Sequence, residues 1–294
     1  DRLRSRGLGD VYKRQGYAKQ DTISGDDKHF GWRLGRFFLT GFTRVTADEN
    51  QQPVFIKTLG DSVTLWFDLE QDIDALNGNA QLSLAADANG YDQQFGIPKT
   101  NFGRGTLIVR HTDYQNTKNE PAVYTDYLLA KGTTGANTRI VLHEEGDYEV
   151  ALDYEVQDGE LTHITSKFGN YRIFLRFSIR NGNCMVYPFD LLTGAELQNT
   201  SVTEAGFSLD LARSRYLDIN VRRAVPVETA NGVIEDERFN RPAKDGDRYT
   251  QEGIYTISVS NRYTGESTTK TIFVGSQALL ETYVRNGFSL ERLK

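Results

Sequence analysis

Glu145-Gly-Asp-Tyr148-Glu-Val150-Ala-Leu152 and Glu252-Gly-Ile-Tyr255-Thr-Ile257-Ser-Val259 are the stretches on which the fold is read. Both follow the pattern G-x-Y-x-φ-x-φ, where φ is apolar, and the copies lie 107 residues apart. Alternate residues of a strand point to opposite faces, so Tyr148, Val150 and Leu152 share one side, as do Tyr255, Ile257 and Val259. A tyrosine at the head of such a strand has the position of a tyrosine corner. There the ring enters the core while the hydroxyl reaches back to the backbone of the preceding turn. Tyr148 and Tyr255 are the two structural residues assigned this way.

Working outward, each copy is followed by another alternating segment, Tyr171-Arg-Ile-Phe-Leu-Arg-Phe-Ser-Ile179 in the first and Thr269-Lys-Thr-Ile-Phe-Val274 in the second. In the former, Tyr171, Ile173, Leu175, Phe177 and Ile179 line one face and Arg172 and Arg176 the other, the mark of a half-buried antiparallel strand. The same period runs through Ser62–Asp68, Gly105–Arg110 and Tyr216–Val221. Turn clusters such as Asn181-Gly182-Asn183, Asp245-Gly246-Asp247 and Thr264-Gly265-Glu266 separate the segments, with almost no helical pattern between them. Short strands punctuated this way read as an all-β sandwich, and the offset matches one immunoglobulin-like domain of about 100 residues. The expected fold is therefore a tandem of immunoglobulin-like β-sandwiches. One covers 30–180, with an extra N-terminal ribbon made of Arg36–Thr40 and Val54–Lys57, and the other covers 183–275. Residues 276–294 read as a helical segment, capped by Ser276 and closed by Asn286-Gly287.

The chain has 294 residues, ample to bury about three-quarters of its unfolded surface. Its first fifteen residues are set apart. Asp10-Val-Tyr-Lys-Arg-Gln15 looks like the translation of a transposon mosaic end used in sequencing libraries, and the residues before it are basic and aperiodic. Residues 1–15 are read as an adapter artefact, disordered and outside the fold. The single Met, Met185, is no initiator, so the natural start and any signal peptide are expected to lie beyond this sequence. Those fifteen residues hold five basic and two acidic groups, so the remainder carries −9 against −6 for the whole chain. That balance argues against nucleic acid, whose binding needs a basic stripe to neutralise phosphates. No apolar run is long enough to cross a membrane as a helix. Cys184 is the only cysteine, which excludes an internal disulfide, and its apolar neighbours give it the reading of a small buried hydrophobe.

Little in the chain advertises chemistry. His29, His111, His143 and His163 are far apart, without paired-ligand spacing. There is no G-x-S-x-G, no phosphate-binding glycine loop and no His near Cys184, so no catalytic residue is assigned. Paired carboxylates such as Glu144-Glu145 and Glu235-Asp236-Glu237 read as solvated charge on turns. No cofactor is expected. The alternative is calcium at Asp87, Asn89 and Asp92, hard oxygen donors at alternating positions turned by Gly90. That stretch departs from the helix–loop–helix calcium pattern, having Pro98 where a bidentate Glu would stand. An Asx turn explains it as well. Aromatics make up 11% of residues, enough to build a binding surface. Trp66, between Leu65 and Phe67, reads as a core anchor. Tyr91, Tyr114, Tyr124 and Tyr127 lie near predicted turns and are the surface residues assigned to ligand binding.

With the tyrosine pair, the stretches Gly169–Asp190 and Glu252–Gly275 make the chain resemble a group of uncharacterised surface proteins of Gram-positive, Clostridia-type gut bacteria. The resemblance covers about 30–294. It implies a secreted protein with a signal peptide, immunoglobulin-like domains and a membrane anchor in a segment beyond this sequence. It transfers no catalytic or binding residue. The function so implied is non-enzymatic interaction, adhesion or spacing at a bacterial cell surface, by a monomer whose partner is a protein or a cell-wall or host glycan. The alternative is a carbohydrate- or peptidoglycan-binding module using the Tyr-rich loops of the first domain. Gram-positive adhesin modules of this type sometimes carry a Lys–Asn isopeptide cross-link promoted by a buried acid. The sequence alone names no such triad here.

Overall fold

A computed structural model describes residues 12–15, 36–68, 82–83, 90–98, 104–128, 138–158, 167–227 and 232–285. The chain divides into two compact units, Asp1–Asn181 and Gly182–Lys294. The described residues are all-β apart from one 3-10 turn, Leu211–Arg213, and one short helix, and both units are sandwich-like.

The first unit contains β1 (Tyr12–Gln15), β2 (Arg36–Thr40), β3 (Arg44–Ala47), β4 (Pro53–Lys57), β5 (Val63–Asp68), β6 (Leu82–Ser83) and the small hairpin β7 (Tyr91–Asp92) with β8 (Ile97–Pro98). It continues with β9 (Thr106–Thr112), β10 (Ala122–Tyr124), β11 (Ile140–Leu142), β12 (Gly146–Asp158) and β13 (Lys167–Asn181). One sheet has the order β1-β2-β5-β11, the other β10-β9-β12-β13-β4-β3. All neighbours are antiparallel except β4, which runs parallel to β13. Arg36–Thr40 and Val54–Lys57 therefore form no ribbon, since β2 enters one sheet and β4 the other. Tyr12–Gln15, set outside the fold on sequence grounds, pairs with β2. Alternation fills the space between the sheets: Phe37, Leu39, Val63, Leu65, Phe67, Ile140 and Leu142 from one side meet Leu107, Val109, Tyr148, Val150, Leu152, Ile173, Leu175, Phe177 and Ile179 from the other.

The second unit contains β14 (Pro188–Asp190), β15 (Ser201–Thr203), β16 (Phe207–Leu209), β17 (Asp218–Val227), β18 (Gly232–Pro242), β19 (Arg248–Tyr249), β20 (Gly253–Asn261) and β21 (Glu266–Val274). Its sheets are β14-β16-β19 and β15-β21-β20-β17-β18, with β15 parallel to β21. The first unit's order is reproduced strand for strand, once β1, β3 and the short additions β6 to β8 are set aside. Phe207, Leu209 and Tyr249 pack on Ile219, Val221, Tyr255, Ile257, Val259, Ile272 and Val274 in its core. Buried Cys184 belongs to the same core.

The helix α1 (Gln277–Arg285) begins where the Ser276 hydroxyl accepts from the Leu279 backbone N–H at 3.2 Å, the N-cap bond that satisfies a first-turn donor. Leu280 of α1 packs on Ile254 and Phe273, covering apolar residues on the outer face of β20 and β21. No helix among the described residues is long and apolar enough to cross a membrane.

Candidate functional site

Lys57 ends β4 and Asn181 ends β13, and the parallel register sets the two side by side. Each lies two residues beyond an inward core residue, Phe55 and Ile179, so strand alternation turns both side chains the same way. Lys57 is 3% exposed and Asn181 9%. The Lys57 Nζ donates to Asn181 Oδ1 at 2.8 Å, and Asn181 Nδ2 donates to Glu145 Oε1. A buried lysine, a buried carboxamide and a carboxylate thus form one contiguous group.

The surroundings hold that group in place. Gly146, with φ +153°, opens β12 immediately after Glu145. Arg180, 5% exposed, donates to the Gly146 carbonyl at 2.8 Å and to Asp147 Oδ1 at 2.7 Å, tying this turn to β13. The adjoining core layer is aromatic: Phe55 meets Phe177 edge-on at 5.6 Å, and Phe177 stacks on Tyr148 at 5.4 Å. Burial holds the Lys57 amine below the ordinary lysine range, against the weaker opposing pull of Glu145, Asp61 and Glu144. A neutral amine is a nucleophile, which an ammonium is not.

The second unit lacks this group at the corresponding places. Tyr148 faces Phe177, and Tyr255 faces Ile272. Ile179 then runs beside Phe55, and Val274 beside Thr203. Two residues further along, the first unit has Lys57 and Asn181, and the second has Ala205 and Ser276. Glu252 keeps the place of Glu145, but neither an amine nor a carboxamide stands next to it in this register.

What the units share is the corner. The Tyr148 hydroxyl donates to the Glu144 carbonyl at 2.8 Å, and the Tyr255 hydroxyl to the Gln251 carbonyl at 2.9 Å, four residues back in each case. The strand opposite supplies a second brace. His111, facing Tyr148, bonds through Nε2 to the Glu145 carbonyl at 2.8 Å. Arg223, facing Tyr255, donates through Nε to the Glu252 carbonyl at 3.0 Å.

The other residues assigned from sequence are dispersed. Tyr91 is 53% exposed and Tyr124 39%, whereas Tyr114 is half-buried. Tyr127 departs from the surface reading: it is 8% exposed and its hydroxyl donates to the Thr138 carbonyl at 2.8 Å. Its segment is drawn inward because Tyr127 and Leu128 bond back to Gly105 and Arg104. Asp87 and Asn89 lie outside the described residues. Asp92 is 2% exposed; its Oδ1 accepts from the Gln94 and Phe95 N–H groups, an Asx turn, and its Oδ2 pairs with Arg172. Phe95 thereby packs on Ile108 and Ala151, outside the β9–β12 face. Among the described residues, no three His, Cys, Asp or Glu gather as a metal site. Trp66 is likewise no core anchor. Leu65 and Phe67 take the inward positions, leaving Trp66 half-buried on the outer face, stacked on Phe38 at 5.3 Å with the Arg139 guanidinium 4.6 Å from its ring.

No protein-family model and no curated protein matches the chain.

Proposed function

We propose that the protein is a non-enzymatic interaction, adhesion or spacer protein working outside the cell, at a bacterial surface. The observation that supports this reading is repetition: one strand order is used twice in succession, and the last strand of the first unit ends at Asn181, where the second unit begins. A rigid sandwich repeated along a chain places its loops at successive positions, and recognition on such scaffolds resides in loops. The test is protease treatment of intact producing cells. Release of peptides from this chain without lysis is expected, and recovery only after lysis overturns the reading.

Exposure of Tyr91 and Tyr124 favours a second reading, a carbohydrate- or peptidoglycan-binding module, because a tyrosine face stacks on sugar rings. A glycan array probed with the full chain, with and without chelator, separates the two. Glycan retention that is lost in Tyr91→Ala or Tyr124→Ala establishes the module, and loss with chelator alone brings calcium into it. No retention leaves the spacer reading.

A further inference from the structure

We propose that Lys57 and Asn181 become joined by an isopeptide bond, with Glu145 as the proton carrier. Three features point to this chemistry. The amine and the carboxamide are held in contact by strand register, which removes the entropic cost of bringing them together. The pair is buried, so water is kept from the reacting carbon. The acid lies at the nitrogen that must leave. Nζ already meets the amide it would attack, and burial favours the neutral form of the amine.

The reaction balances without an oxidant or other co-reactant. The lone pair of neutral Lys57 Nζ attacks Asn181 Cγ and a C–N bond forms. One proton passes from Nζ to the Glu145 carboxylate and from there to Nδ2. The Cγ–Nδ2 bond then breaks, ammonia leaves, and a secondary amide links the side chains. Glu145 returns to its starting state, acting first as base and then as acid. The linkage depends on neither the cellular location nor the partner of the protein. The second unit, with Ala205 and Ser276 at the corresponding places, does not form it.

The experiment is mass spectrometry of the full chain. The intact mass is expected to fall one ammonia below that calculated from the sequence. Asn181 precedes Gly182, and such a pair also loses ammonia by closing onto its own backbone as a succinimide. The deciding measurement is therefore the tryptic map, in which peptide 45–99 is expected joined to peptide 181–213 through Lys57 and Asn181. Lys57→Met is expected to abolish the joined peptide, and Glu145→Gln to do the same with an unchanged β-type circular dichroism spectrum. A full calculated mass, or separate peptides in the map of the unmodified sequence, overturns the proposal. A joined peptide in Glu145→Gln overturns the role given to Glu145. The map of the unmodified sequence decides the bond by itself, whether or not either variant folds.

Discussion

The two units share one topology and one tyrosine corner but close their open ends differently. In each, the strand that precedes the second core strand lies parallel to the last strand, β4 on β13 and β15 on β21. In the second unit that edge carries short backbone pairing, and the chain leaves through Gly275 into a capped helix that covers Ile254 and Phe273. At the corresponding place the first unit buries an amine and a carboxamide and sets a half-buried acid against them. A common fold thus keeps what its core geometry demands, while the edge is free to specialise. The corner is demanded; the cluster is not.

The comparison sharpens most under loss of the cross-link. Lys57 and Asn181 are 124 residues apart in sequence, and closing a loop of that length stabilises by about 5 kcal/mol in the chain-entropy account. Glu145→Gln is expected to lower the unfolding temperature of the first unit by roughly 10–20 °C, with no change in the second. Calorimetry or hydrogen exchange resolved by unit reads the difference. Equal shifts in both units would break the contrast.

Next in size is the glycine before each corner. A Cβ on Gly146 would lie 2.1 Å from His111 Nε2 and 2.4 Å from the Thr112 carbonyl oxygen; one on Gly253 would meet the Ala224 carbonyl at 2.9 Å. Both residues have positive φ, +153° and +149°. Gly146→Ala is expected to cost about 3 kcal/mol and Gly253→Ala about 1–2 kcal/mol, measured by denaturant unfolding. The inequality follows from the tighter approach of His111.

Arg172→Met tests a feature of the first unit alone. It removes the partner of Asp92 and of Asp153, whose Oδ1 lies 2.5 Å from the guanidinium, and is expected to cost about 3 kcal/mol. Burial pushes the Asp92 carboxyl up, but the Arg172 hydrogen bond and charge, with the Phe95 and Gln94 N–H groups, together hold it below the ordinary range. A carboxyl depressed on folding contributes stability above its unfolded pKa and loses it as pH falls through the folded one. The first unit is therefore expected to lose stability on acidification below the ordinary Asp range, and Arg172→Met to flatten that loss. An unchanged acid limb in denaturant titrations would count against the pair.

The smallest expected effect is a symmetrical one. Tyr148→Phe and Tyr255→Phe each remove one hydroxyl bond to a backbone carbonyl and keep the ring, for about 1 kcal/mol apiece. A marked inequality would show that the two corners do unlike jobs.

The all-β sandwich-like architecture and the closing helix were legible because both rest on local rules: period-2 alternation in segments such as Tyr171–Ile179, and Ser276 as a cap. Trp66 was misread by its neighbours' character rather than by parity, which already set it with Thr64 and opposite Leu65 and Phe67. Tyr127 was misread because backbone bonds to Arg104 and Gly105, not its own surroundings in sequence, carry it inward. The cluster at Lys57 had no local signal at all. Glu145 looked like solvated charge on a turn, and Lys57 was only the last residue of the Val54–Lys57 ribbon segment. A parallel pairing between β4 and β13 brings them together, and no periodicity encodes which strands pair.

That pairing has a mechanical consequence. Once Lys57 and Asn181 share a covalent bond, tension entering through the chain before Lys57 passes straight across to Gly182. Residues 58–180 then lie in a closed ring outside the line of force. Pulled from both ends, such a molecule pays out the contour length of its second unit and of the strands before Lys57, while residues 58–180 cannot be drawn out.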